Sequence, residues 1–341
     1  MGGHSLPFKR VALAIIQRMS VTQVLSSPVA LIFFNRPDQT EKVFRQIREA
    51  KPTRLFLISD GPRTTIRGER EKVEACRKIV ADIDWPCEVL RNYSDQNLGC
   101  KRRVITGLDW VFSYVNSAMI LEDDCLPSED FFSFTDELLK RYEQNERVGA
   151  ICGTNPLENS SSTTDSYFFS KLPSIWGWAT WARVWRKYDG EIKNWPANKH
   201  SGFLSKVLGD TKAISYWSDS LDEVYRSHLD TWDYQFTYHL WQSDQLAVIP
   251  SENLISNIGF GLDATHTLDS RNSLANIKTS KMVFPLNHPV EISPRSDFDK
   301  KISGLFPGRW RIHAGRIVKR LPRQIVVLLQ WVYSKLRPRG K

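Results

Sequence analysis

"MILEDDCLPSEDFF", residues 119–132, decides the fold. It joins a short apolar run to the adjacent carboxylates Glu122, Asp123 and Asp124, and then to an amphipathic stretch. An acidic triplet alone is ordinarily a solvated loop or a helix start, and Ser128 followed by acids has the form of an N-cap. Its neighbours say more. "AMIL" (118–121) reads as a buried strand, and "PSEDFFSFTDELLKRYE" (127–143) as a helix beginning near Ser128. The acids therefore stand at the carboxyl end of a strand, where open α/β sheets bind their ligands.

Upstream of the triplet, strand and helix alternate. "VALIFF" (29–34), "RLFLIS" (54–59) and "CEVLRN" (87–92) read as strands. Between them lie helices. "DQTEKVFRQIREA" (38–50) has Asp38 and Glu41 spaced as a capping box, and "EREKVEACRKIVADI" (69–83) follows the second strand. "CKRRVITGLDWVFSYV" (100–115) puts Val104, Leu108, Val111, Phe112 and Val115 on one face. Such alternation predicts a mostly parallel sheet with right-handed crossovers. It stops near "VGAICG" (148–153), where Trp-rich and Ser-rich sequence takes over.

Polar residues collect at the four expected strand ends. They are Asn35 and Arg36 after the first, Asp60 after the second, "NYSDQNLGCKRR" with Lys101 after the third, and the triplet after the fourth. Each is ordinary turn chemistry by itself. Together they make a mixed-charge rim beside a helix amino terminus, which suits a phosphate-bearing ligand. Carboxylates next to phosphates call for a divalent ion, and oxygen ligands select Mn2+ or Mg2+.

With these motifs in this order, residues 28–270 resemble the GT-A class of nucleotide-sugar glycosyltransferases, the acidic triplet standing for its metal motif. The nearest likeness is to the N-acetylglucosaminyltransferase family that initiates complex N-glycans. The resemblance implies an α/β GT-A fold, in which a Rossmann-like nucleotide-binding half is merged with an acceptor-binding half. It implies that Arg36 contacts the diphosphate, Asp60 the base and Asp123 the ribose, with Asp124 holding the metal and Asn35, Lys101 and Glu122 lining the same donor site. It also implies a glycine-containing loop over the donor, for which Trp176, Gly177 and Trp178 of "SIWGWATW" are candidates. A carboxy-terminal metal ligand would be His266, and a catalytic base Asp233, with Asp230 in reserve. Asp230 and Asp233 also fit the cap and first turn of a helix, and Trp181 and Trp185 fit a core face. "GFGLDA" (259–264) matches a dinucleotide fingerprint only formally, since no apolar crossover helix follows it.

Composition bounds the rest. The 341 residues, 41% hydrophobic and 25% charged, suit an ordinary globular chain. Its five cysteines are odd in number and unclustered, which argues against a disulfide framework or zinc site and fits a reducing compartment. The net charge of +9 is localised: residues 309–341 carry ten Lys and Arg and no acid. The other 37 basic residues face 38 acidic ones, so no basic cleft for nucleic acid is expected.

The organisation expected is an extension (1–27), a nucleotide-sugar half (28–153), an acceptor half (154–285), a linker (286–308) and a basic amphipathic helix (309–341). The tail's apolar core is too short to span a bilayer but suits docking on an anionic membrane. The expected location is thus cytoplasmic and peripheral, at the inner face of the membrane, with a glycan or lipid-linked acceptor. Other classes remain open. A nucleotidyltransferase of related fold typically has a Gly-rich loop after the first strand, which "FFNRPDQT" lacks. A glycoside hydrolase would not explain a phosphate rim. A non-catalytic sugar-binding or scaffold protein would need no base.

Overall fold

A computed structural model describes residues 25–157, 164–260 and 276–305. The tail at 309–341, His266 and nearly all of the amino-terminal extension lie outside the described residues.

The alternation holds. Strand β1 (Val29–Phe33), helix α1 (Pro37–Ala50), β2 (Arg54–Ser59), α2 (Glu69–Ile79), β3 (Glu88–Tyr93), α3 (Cys100–Tyr114) and β4 (Ser117–Glu122) follow in that order. β1 is buried at every residue because β2 and β4 flank it and helices cover it, which is why it reads as an unbroken apolar run. α1 buries Thr40, Val43, Phe44 and Ile47. The capping box does not form: α1 begins at Pro37 with Arg36 in the N-cap position and no side-chain cap. α2 ends at Ile79, short of the expected stop. Val115 falls outside α3 and is extended.

Beyond the triplet come β5 (Cys125–Pro127), α4 (Glu129–Arg141), β6 (Val148–Cys152), β7 (Tyr167–Ser170), β8 (Trp178–Trp181) and the short helices α5 (Ala182–Trp185), α6 (Trp195–His200) and α7 (Phe203–Leu208). Then follow α8 (Thr211–Tyr225), α9 (Asp233–Gln242), β9 (Leu246–Pro250), β10 (Ile255–Asn257) and α10 (Ser296–Leu305). Ser128 takes the N-cap position of α4, but its hydroxyl makes no cap bond. α10 lies within the stretch expected as a linker. It is a packed helix, with Phe298 against Phe168 and Asp299 accepting the Ser170 hydroxyl.

Eight strands form one sheet in the order β3-β2-β1-β4-β8-β6-β9-β7, while β5 and β10 make a separate ribbon. β1 to β4 are mutually parallel, and β6 and β9 run with them. Only β8 and β7 oppose their neighbours, so the sheet is mixed and mostly parallel, a Rossmann-like α/β arrangement. The chain leaves β1 for β2 on one side, and β4 joins on the other, so strand order reverses between β1 and β4. That is a topological switch point, and it opens a crevice at their carboxyl ends. All five cysteines are free, and no helix among the described residues is long and apolar enough to cross a membrane.

Candidate functional site

The switch point brings the ends of β1 and β4 together through side chains. Asp123 Oδ2 accepts the Phe34 amide at 2.9 Å, stitching the strand ends. Arg36 Nη1 donates to Asp124 Oδ2 at 2.8 Å and lies 3.9 Å from Asp123 Oδ1. Asp124 is held from behind by β10 pairing with β5: the Ile258 amide donates to its carbonyl at 2.8 Å. A Cβ added at Gly259 would lie 2.0 Å from Asp124 Oδ2, so only glycine leaves room for this carboxylate.

Glu122 and Asp123 hold protons unusually well. Burial, then the charges of Asp124, Asp123 and Asp233, pushes Glu122 up to about 8, against a weaker opposing pull from Arg36. Burial and Asp124 push Asp123 to about 7. The site carries more negative charge than Arg36 balances.

The charge of Asp233 reaches Glu122, although the two are far apart in sequence. Asp233 is the first residue of α9, and its Oδ1 accepts the Thr231 hydroxyl and, at 2.9 Å, the Tyr234 amide. Its Oδ2 has no hydrogen-bond partner among the described residues. The Cys100 thiol feels the same charges. Its pKa is driven well above the ordinary value by burial and then by Glu122, Asp230, Asp233 and Asp124. Close by, the Tyr216 and Tyr234 hydroxyls meet at 2.7 Å, and both feel the Asp233 charge.

Several sequence-based expectations need correction. The amino terminus of α3 is not open to a phosphate: Asp230 fills it, accepting from the Cys100 and Lys101 amides, each at 3.0 Å. Asp230 is thus not the cap of α9, where Trp232 takes the N-cap position, and both its oxygens hold α3. Lys101 turns to Glu191 at 2.7 Å, and Arg103 is buried against Asn92. Asp60 is 5% exposed and internally engaged, accepting from Gly61, Leu98 and Gly99 amides and from Asn97. It shapes the 97–99 turn. Asn35 donates to Glu69 at 2.8 Å, and Glu69 is also held by Arg63.

Trp178 is 1% exposed and stacks on Trp232 at 5.3 Å in the core, where neither face can meet a sugar. Trp181 and Trp185 are core as well. Trp176 remains half-buried, edge-on to Phe260 at 5.6 Å. Gly177 is required, since its φ is +61° and an added Cβ would meet Ile255 at 2.3 Å. Cys100, Glu69, Gly259 and the Tyr216–Tyr234 pair went unsignalled in the sequence, where each resembles a common helix or loop residue.

Among the described residues, no three His, Cys, Asp or Glu side chains converge into a metal cage. The donor chemistry still fits a hard divalent ion: Asp124 offers carboxylate oxygens beside Glu122 and Asp123, whose proton affinity is raised by burial and then by neighbouring carboxylates. Such an ion would take one protein carboxylate, Asp124, and complete its shell with water and phosphate oxygens.

No protein-family model matches the chain. No curated protein matches it either. Among solved structures, it is similar to 4-diphosphocytidyl-2C-methyl-D-erythritol synthase from Anaerococcus prevotii DSM 20548. That match has 9% identity and a TM-score of 0.30, and covers 48% of this chain and 75% of the other. A UDP-glucose pyrophosphorylase complexed with UDP-glucose is similar at 10% identity and a TM-score of 0.27, covering 47% of this chain and 78% of the other. Likenesses at that level bear on neither family nor activity.

Proposed function

We propose that the chain is a metal-dependent glycosyltransferase of the GT-A kind, moving a sugar from a nucleotide-diphosphate donor to an acceptor hydroxyl with inversion. The observation that carries this reading is the pairing of Arg36 with Asp124 and Asp123 at the switch point, with Asp233 close enough for its charge to act on Glu122. Donor sites lie at such crevices, and a carboxylate with a free oxygen is what an acceptor hydroxyl requires.

Arg36 would bind the donor's diphosphate by its guanidinium fork. Asp124 would hold Mn2+ or Mg2+, which when bound supplies Lewis-acid stabilisation of the leaving diphosphate. Thr231 and the Tyr234 amide fix Asp233 through Oδ1, and Oδ2 takes the acceptor proton. The acceptor oxygen attacks the anomeric carbon as its bond to the diphosphate breaks. The electron pair leaves with the diphosphate, the proton stays on Asp233, and a single displacement inverts the centre. Trp176 and Asp123 belong to the donor side of the site in this reading, and the 309–341 tail docks the enzyme on an anionic membrane near a glycan or lipid-linked acceptor.

The test is donor hydrolysis with a panel of nucleotide sugars, with and without Mn2+. Metal-dependent release of nucleoside diphosphate from one donor is expected. Pyrophosphate release from a nucleoside triphosphate and a sugar phosphate would mark a nucleotidyltransferase instead, and turnover of neither would leave a sugar-binding protein.

A further inference from the structure

Buried carboxylates without a counter-charge are costly, and at this switch point the counter-charge belongs to the chain itself. Arg36 Nη1 lies 2.8 Å from Asp124 and 3.9 Å from Asp123, and the three side chains are only 14%, 19% and 11% exposed. The carboxylates have little room to move away. Asp123 Oδ2 is tied to the Phe34 amide, while the backbone of Asp124 is held by the Ile258 amide and its carboxylate lies close against Gly259. The backbone of Arg36 is fixed too, since its carbonyl accepts the Thr40 amide at 2.9 Å and the Thr40 hydroxyl at 2.8 Å. Only the guanidinium, on its long rotatable stem, is able to change partner.

We infer that Arg36 is a resident counter-cation that bars Asp124 to a free divalent ion, so that metal and diphosphate enter as a pair. A metal arriving alone would have to displace the guanidinium from Asp124 Oδ2, the oxygen that Arg36 already holds. A diphosphate arriving alone would draw Arg36 away and leave buried acids unpaired. Arriving together, they exchange partners: the guanidinium moves to a phosphate oxygen as the metal takes Asp124, and every buried charge stays matched. Linkage then makes each ligand strengthen the other, by a factor in the usual range of about 5 to 150. The inference rests on reading Asp124 as the metal-bearing residue.

The experiment titrates the full chain with Mn2+ alone, following the unbound ion by electron paramagnetic resonance. Arg36→Gln should bind Mn2+ about tenfold or more tightly than wild type. Arg36→Lys, which keeps the charge, should stay near wild type. Arg36→Gln binding no tighter than wild type overturns the inference. The double variant Arg36→Gln/Asp124→Asn separates the two ideas. Loss of the gained affinity places the ion on Asp124, whereas its persistence removes the metal assignment and with it the proposed function. Should Arg36→Gln not fold, water-proton relaxation on wild type carries the test, because protein-bound Mn2+ enhances it. Adding inorganic pyrophosphate should raise the enhancement, and a fall, meaning that pyrophosphate merely strips the ion, overturns the inference.

Discussion

Asp60, Asp230 and Asp233 are all aspartates at the ends of elements, and they differ in how many lone pairs the fold already uses. Asp60 accepts from three backbone amides and one side chain, and Asp230 from two amides, while among the described residues Asp233 accepts through Oδ1 alone. Asp60→Asn would turn an N–H group towards the Leu98 and Gly99 donors, so a stability loss of about 1–3 kcal/mol is expected by urea unfolding. Asp233→Asn should instead leave stability and donor affinity unchanged and lower kcat by about 10²- to 10⁴-fold. An equal fall in donor affinity would show that Asp233 serves binding and not proton transfer. None of this sorting is legible in the sequence. The letters Asp230 and Asp233 stand three apart, yet one reaches back across the molecule to α3, and only tertiary pairing decides which.

β5 and β10 form the smallest sheet, and the candidate metal carboxylate hangs from it. Gly259→Ala would thrust a methyl group into the Asp124 carboxylate. It should raise the Mn2+ concentration needed for half-maximal activity and cost about 1–3 kcal/mol of stability, the usual penalty of overpacking. An unchanged Mn2+ requirement would separate Asp124 from the metal. At this scale β1 to β4 and their helices were readable because each is a local apolar period, and β2 was placed at its observed ends, Arg54–Ser59. The order β8-β6-β9-β7 was not, since it depends on pairing between distant segments that no local period encodes. Trp178 reads as a loop residue for the same reason: its neighbour Gly177 announces a turn, but the next residue is already inside β8.

Charge governs the molecule as a whole. In the fold, Glu122 and Asp123 keep their protons to about 8 and about 7, against ordinary values of 4.5 and 3.8. The folded chain thus binds more protons than the unfolded one in that window. Their contribution is complete below the ordinary values and is lost as pH rises through the raised ones. His239 and His288, lowered mainly by burial, act in the opposite sense, so the clean measure is a difference. Between about pH 5 and about pH 8.5, the thermal midpoint of metal-free wild type should fall relative to Glu122→Gln. A constant gap would mean that Glu122 is ionised throughout. The basic tail supplies a second test at this scale. Truncation after residue 308 should abolish flotation with phosphatidylglycerol vesicles, each Lys or Arg near the surface contributing about 1 kcal/mol. Equal binding by the truncated chain would refute docking through the tail.

The position of β8 between β4 and β6 also sets a timetable. A ribosome delivers β4 well before Trp178, and its outer edge, from Ser117 to Ile120, has no partner until β8 arrives to pair with it. At roughly 5–20 residues per second that is a wait of several seconds, during which an apolar strand edge is open to any neighbouring nascent chain. A fragment ending at residue 153 would keep that edge open for good. Such a fragment should aggregate, although it contains every element of the nucleotide-sugar half expected from the sequence.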